Sequence, residues 1–320
     1  MAARRRVADA VHRTPLLRFR TLGRSNGARP WLKCENLQKT GSFKVRGALN
    51  SIASLSRRER ARGVITISAG NHAQAVAWAA GRAGARAVVV MPEGAARSKV
   101  EAAIGYGAEV VLHGNAAEAF QEARRRADEE GLVFLHPFDT APVIAGHGST
   151  GLEVGEDIPG EAVIVVPVGG GGQIAGIAGA LAATGRLTGP GRVRVVGVEP
   201  EGAPGMRRSL DEGRAATLDG TDTIADGLAP PMAGELNYRY VAEFAEDVVL
   251  VSDAEILSAM RLLLTRAKLV AEPSGAAAAA AVMYGRVRVT AGETVVVLVS
   301  GGNVDDGLIV RALREGAPWP

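Results

Sequence analysis

The residues that could do chemistry begin with Lys44, in the run Gly41-Ser42-Phe43-Lys44-Val45-Arg46-Gly47. A short apolar strand at Trp31 and Leu32 leads into a polar turn. Gly41 and Ser42 then open a helix, with Ser42 expected as its N-cap. That places Lys44 in the first turn, at the positive end of the helix dipole, which disfavours an ammonium by about 0.3–1 kcal/mol. The same dipole lowers the pKa of the amine, and Schiff-base chemistry requires a neutral amine. The alternative is a solvated lysine at a helix start. Five lysines exist (Lys33, Lys39, Lys44, Lys99 and Lys268), so any covalent lysine chemistry must use one of them.

Three loops at the carboxyl ends of predicted strands could face Lys44, and ligands of open α/β sheets bind at such ends. Gly169, Gly170, Gly171 and Gly172 follow the apolar run ending at Val168. Successive glycines just before a helix can turn several backbone N–H groups toward one point, an anion cradle suited to a phosphate. A purely structural glycine turn is the alternative. Ser68, Ala69, Gly70, Asn71 and His72 form the second loop, which offers N–H groups and an amide apt for a carboxylate or a ring hydroxyl. It also reads as a simple N-cap turn, with His72 structural. The third loop runs from Ser300 to Asn303. The Ser300 hydroxyl can donate or accept there, although a bare strand-to-helix turn is again possible. A competing dinucleotide reading fits Gly170, Gly172 and Ala175 to a GxGxxA motif, with Glu199 as the ribose acid. It leaves Lys44 and the loops at Ser68 and Ser300 unexplained. A lysine nucleophile, a phosphate cradle, a carboxylate loop and a hydroxyl for a ring nitrogen together suit pyridoxal phosphate.

Alternating strands and helices must position these loops. Strands are expected at 64–67, 87–91, 109–112, 132–135, 162–168, 193–198 and 294–299, with helices between them, which means βαβ units and parallel sheets. A long amphipathic helix is expected at 252–269, and a surface excursion at 200–222. The 320 residues suffice for two domains, and 47% hydrophobic with 22% charged residues is ordinary for a globular enzyme. A net charge of +3 gives no case for nucleic acid binding. Arg124 to Arg126 alternate with acids on one helix, a solvated face. The single Cys34 excludes an internal disulfide and fits a reducing compartment, so a cytoplasmic location is expected. No run is long enough for a membrane span, and the histidines show no metal-ligand spacing.

Seven motifs occur in order: Ser42 to Gly47, Ser68 to Gln74, His136-Pro137-Phe138-Asp139, Gly169 to Gly172, Asp226-Gly227, Glu272-Pro273-Ser274-Gly275 and Ser300 to Asn303. As a set they resemble the threonine dehydratase and serine racemase family, fold-type II pyridoxal phosphate enzymes similar to the tryptophan synthase β chain. The resemblance implies two open twisted parallel-sheet domains with the cofactor between them: a small domain over 41–140 and a large one over 1–40 and 141–320. It implies that Lys44 holds the cofactor and is the catalytic base. Phe43 would pack on the ring, Asn71 bond the ring hydroxyl, Gly169 to Gly172 bind the phosphate and Ser300 meet the pyridine nitrogen. Gly227, Glu272 and Gly301 would complete the cofactor site, and Ser68 to His72 would grip the substrate carboxylate.

A hydroxyl donates to a pyridine nitrogen without protonating it as an acid would, so the ring is a weaker electron sink and loss of a β-hydroxyl is favoured over transamination. The implied activity is a threonine ammonia-lyase giving 2-oxobutanoate and ammonia, acting also on serine. A dehydratase of a larger 3-hydroxy amino acid, a racemase, a nicotinamide-dependent oxidoreductase and a silent binding relative are the alternatives. Two departures narrow the choice. Racemases of the family carry a serine where this chain has Ala69. Metal-binding members use a Glu, a backbone carbonyl and an Asp. Glu199 and Ala203 match the first two, but Gly205 stands at the third, so need of a divalent or monovalent cation is left open. The chain ends soon after Asn303, so no C-terminal regulatory domain is expected. The partners expected are an amino-acid substrate and further copies of the chain, as a homodimer or homotetramer.

Overall fold

The apolar runs at 87–91 and 162–167 are buried at every position. Strands covered by helices on both faces must be so. The computed structural model describes residues 1–23, 27–189 and 191–318. Its strands are β1 (Leu16–Arg18), β2 (Arg29–Cys34), β3 (Val64–Ile67), β4 (Ala87–Met91), β5 (Glu109–Leu112), β6 (Val133–Phe134), β7 (Ala162–Pro167), β8 (Val193–Pro200), β9 (Asp247–Val251) and β10 (Thr294–Val299). They form two sheets, one ordered β1-β2-β10-β7-β8-β9 and the other β5-β4-β3-β6. All pairings are parallel except β1 with β2, which is antiparallel. The link between those two is too short for a parallel crossover, so the chain folds back at the sheet edge.

Strand alternation sends each sheet's side chains to two cores. In the larger sheet Val163, Val165, Val295 and Val297 face the buried alanine helix Pro273–Met283. Ile164, Val166, Val296 and Leu298 face Ile174 and Ile177 of the helix Gly172–Ala183. In the smaller sheet Val64, Val89 and Met91 pack on Val45, Ala48, Ile52 and Val76 from the helices Lys44–Ser54 and Asn71–Arg82. Its other face packs on Ala119 and Ala123 of the helix Ala116–Glu130. Val7 of the N-terminal helix also joins the core around Val45 and Ile52.

Three local expectations change. Ser42 is not an N-cap: its backbone is extended and bridges Gly301, and the helix begins at Lys44 with Phe43 at the N-cap. The 200–222 excursion contains a helix, Gly205–Glu212, because Met206 and Ser209 find burial. The long helix stops being α-helical after Leu262, passes through a π-turn at Leu263–Ala267 and ends at Lys268 with φ 62°. The sequence reading also omitted the helices Arg57–Arg62, Glu235–Phe244 and Asp306–Glu315 and the strand β9.

Candidate active site

Lys44 is the first residue of its helix. The approach is strained: Thr40 and Gly41 both lie in the left-handed region, at φ 60° and 71°. For a β-branched residue such as Thr40 this costs about 1–3 kcal/mol. The strain is held by a lattice of bonds to the residues after β10. Phe43 N donates to Ser300 O at 3.0 Å, Gly302 N to Gly41 O at 2.9 Å, and Asn303 Nδ2 to Thr40 O at 2.8 Å. The helix then crosses the helix Ala141–Asp157 with backbones almost touching. A methyl group at Gly146 would lie 2.3 Å from Arg46 O, and one at Gly47 2.5 Å from the His147 ring. Burial pushes the Lys44 amine down to about 8, with Glu272 pulling the other way. Burial and the Lys44 charge hold the imidazoles of His72 and His147 well below the usual range. The Lys44 amine lies 5.2 Å from the centre of the Phe43 ring, which packs against His147 at 4.8 Å.

The glycine loop after β7 is walled on its outer side. A methyl at Gly170 would meet the Phe138 ring at 2.4 Å, and one at Gly172 the Phe138 carbonyl at 2.9 Å. Gly171 has φ 90°, which only glycine adopts readily. The Gly170 carbonyl is pinned outward by Gly234 N at 3.1 Å and Asn237 Nδ2 at 2.7 Å. Asp139 caps the helix that carries Asn237, accepting from Glu235, Leu236 and Asn237 N–H groups. Among the described residues no side-chain hydrogen bond caps the helix that starts at Gly172. A loop with its carbonyl turned away, ahead of an uncapped helix start, fits a phosphate.

The other loops converge. Asn71 Nδ2 donates to Glu272 Oε1 at 2.7 Å, and Asn71 Oδ1 accepts from Asn303 Nδ2 at 2.7 Å. Ser68 Oγ accepts from Gly70 N at 3.1 Å, tightening the turn around Ala69. Ser300 is buried, with its hydroxyl 3.4 Å from Ser274 O, a weak contact that leaves it able to serve a ring nitrogen. Gly227 lies between two of these groups: a methyl on it would meet Ser274 Oγ at 2.8 Å, and its carbonyl faces Gly169 at 3.0 Å from where a methyl would stand. Gly301 packs against Glu272 more closely still, at 2.1 Å from such a methyl to Oε1. Burial, then Asp226, pushes the Glu272 carboxyl up to about 8, against the opposing pull of Asn71, Lys99 and Lys44. The Ser274 and Ser42 hydroxyls and both polar ends of Gln173 are buried with no hydrogen-bond partner among the described residues. Such orphaned groups and the walled glycine cradle fit pyridoxal phosphate.

The cation position that the sequence leaves open lies around Glu199 and Ala203. Glu199 is buried at the end of β8, and its two oxygens accept from Met206 N at 2.7 Å and Arg207 N at 2.8 Å. It anchors the helix Gly205–Glu212, whose Met206 presses on Gly171. Ala203 is buried beside that helix and Gly205 supplies no side chain. No cluster of three His, Cys, Asp or Glu side chains that could hold a metal occurs among the described residues. The sequence reading gave no role to Thr40, Asn237 or Asn303. Asn303 closed a recognised loop, but its partners are distant in sequence.

Residues 7–301 match the family model of pyridoxal-phosphate dependent enzymes, and the chain belongs to that family. It is 45% identical over 98% of its length to the L-threonine ammonia-lyase of Thermotoga maritima, of which it covers 77%. It is 41% identical over 95% of its length to the catabolic L-threonine dehydratase of Escherichia coli K12, covering 91% of that protein. Among solved structures, maize serine racemase superposes with a TM-score of 0.90 at 36% identity, covering 98% of this chain and 94% of that one. The T.th. threonine deaminase does so with a TM-score of 0.86 at 43% identity, covering 95% and 97%. The fold is therefore fold-type II, its cofactor is pyridoxal phosphate, and the protein is an enzyme.

Proposed function

We propose that this enzyme is an L-threonine ammonia-lyase, converting L-threonine to 2-oxobutanoate and ammonia and L-serine to pyruvate and ammonia. The observation that carries the reading is a half-buried lysine with a weakened proton affinity, on a helix start tied to the loop that carries Ser300. When bound, the cofactor supplies an aldehyde that captures amines and a ring that withdraws electrons from Cα. Lys44 would tether the cofactor and, as a neutral amine, would take the Cα proton of the substrate. Gly169 to Gly172 would hold the phosphate with their N–H groups. Asn71 would meet the ring hydroxyl, Ser300 the ring nitrogen, and Phe43 would pack on the ring. Ser68 to His72 bind the substrate carboxylate. In this reading 41–140 is the small domain and the cofactor lies between it and the rest. A homodimer or homotetramer in the cytoplasm is the expected setting. Among the described residues no helix is long and apolar enough to cross a membrane.

Ala69 favours elimination over racemisation. Returning a proton to Cα from the face opposite Lys44 needs a donor within hydrogen-bond reach, and a methyl group is none. Borohydride reduction of the enzyme followed by peptide mapping should label Lys44 alone among the five lysines. L-Serine in heavy water should give pyruvate with little D-serine. Label on another lysine, or D-serine formed as fast as pyruvate, would refute the reading.

A further inference from the structure

Asn303 stands at a junction that neither the motif nor the family assignment explains. Its side-chain amide nitrogen carries two hydrogens, and both are used: one on Thr40 O at 2.8 Å, the other on Asn71 Oδ1 at 2.7 Å. The first acceptor is a backbone carbonyl and cannot change its role, so the orientation of the Asn303 amide is set. The second bond then sets Asn71. With Oδ1 held by Asn303, Nδ2 must point to Glu272, as it does. The chain Thr40 O, Asn303, Asn71, Glu272 has one direction only. It joins residues before Lys44, after β3, before the helix Pro273–Met283 and after β10.

We propose that Asn303 is a positioning residue: one side chain holds the left-handed Thr40 turn that aims Lys44 and selects which end of the Asn71 amide meets the cofactor. This rests on the reading that Lys44 and Asn71 serve the cofactor. Two further observations fit it. Thr40 is buried at φ 60°, a conformation that needs an outside anchor, and Asn303 Nδ2 is the side-chain donor to its carbonyl. Gly41 can carry no side chain, because a methyl there would lie 2.3 Å from Asn303 Oδ1. The charged groups acting on this chain are Lys44, Glu272, Asp226 and Lys99. Asn303→Asp offers Thr40 O and Asn71 only acceptors. Asn71 must then turn its Nδ2 toward the new carboxylate and its Oδ1 toward Glu272.

The test uses Asn303→Asp, Asn303→Ala and the pair Asn303→Ala with Thr40→Gly. Glycine takes the left-handed turn without strain, so the pair separates the two tasks and folds where the single alanine variant is too weak. Three properties are read: urea unfolding of the apoprotein, affinity for added pyridoxal phosphate, and the pH midpoint of the visible band of the bound cofactor. The paired variant should unfold at the wild-type urea midpoint, yet bind the cofactor roughly tenfold more weakly, as loss of an orienting hydrogen bond predicts. Asn303→Asp should move the pH midpoint by about one unit. Wild-type affinity in the paired variant, or wild-type affinity and midpoint in Asn303→Asp, would overturn the proposal. Absence of a Lys44-linked visible band in the wild-type enzyme would instead refute the underlying functional reading.

Discussion

Glu199 shows how one residue changes role with its neighbours. A carboxylate at a strand end, with a free carbonyl and an acid nearby, would hold a cation. Here both oxygens accept backbone N–H groups, so the side chain anchors a helix start. Catalysis is therefore expected to be unchanged after exhaustive chelation, as assayed by 2-oxobutanoate release. Loss of activity restored by magnesium or calcium would contradict this. Burial raises the Glu199 carboxyl from 4.5 to about 8, against the pull of Met206 N and Arg207 N. A carboxyl raised in the fold gives stability that is complete below its unfolded pKa and is lost as pH rises through the folded one. The apoprotein should thus melt at lower temperature at pH 8 than at pH 5. Glu272 contributes a slope of the same sign. Glu199→Gln should lower the melting temperature overall and flatten, without abolishing, this decline. An unchanged slope would show that Glu199 does not titrate in that window.

At the scale of elements, the Lys44 helix depends on its crossing with the helix Ala141–Asp157. Gly47 and Gly146 let the two backbones meet, and Phe43 packs on His147 beside the crossing. Gly146→Ala places a methyl group against the Arg46 carbonyl, an atom that can move only with its helix. The cost should be about 1–3 kcal/mol in urea unfolding, typical of overpacking. If Lys44 is the tether and Ser68 to His72 the carboxylate loop, as proposed, the displaced helix start should also lower kcat more than it raises KM, since Lys44 moves and that loop does not. Equal stability would mean that the two helices slide apart without strain. The glycine loop belongs to this scale too. Its shape comes from Asp139, which caps the helix that carries Asn237, and from Asn237, which pins the Gly170 carbonyl.

Across the whole molecule, a buried set of charges ties four segments together. Arg46 is fully buried and donates to both oxygens of Glu35, at 2.8 Å each, and to both of Glu153, at 2.6 and 3.0 Å. Lys33 donates to Glu153 at 2.6 Å and to Thr14 O at 2.8 Å. Two cations balance two carboxylates, so the set is neutral. Burial alone would raise the Glu35 carboxyl, but Arg46, Thr14 and Lys33 outweigh it and hold it below the usual range. Its stabilisation is therefore present above the unfolded pKa and lost as pH falls through the folded value. Arg46→Met leaves Glu35 without its main partner. It should cost about 3–5 kcal/mol in urea unfolding at neutral pH, with less loss in acid as the stranded carboxyls take up protons. A loss that does not shrink in acid would show that Arg46 acts through packing alone. Because Arg46 lies two residues beyond Lys44, the same set steadies the helix that carries Lys44.

What could be read from the sequence was local. Apolar runs such as 162–167 marked the buried strands, and the four glycines after Val168 marked a tight turn into a helix, because strand burial and glycine freedom depend on neighbours in the chain. Lys44 at a helix start followed from the same short-range logic. Ser42 failed as an N-cap because Gly301, distant in sequence, drew it into an extended bridge. The left-handed Thr40 was invisible for the same reason: nothing near it in sequence favours that turn, and its anchor is Asn303. Glu199 reads as a possible ligand until the helix after Gly205 closes on it. The Asn71–Glu272 pair and the Arg46 charge set depend likewise on sheet order and helix crossing. Hydrogen-bond partners that lie far apart along the chain carry no short-range signature, so only the tertiary structure decides them.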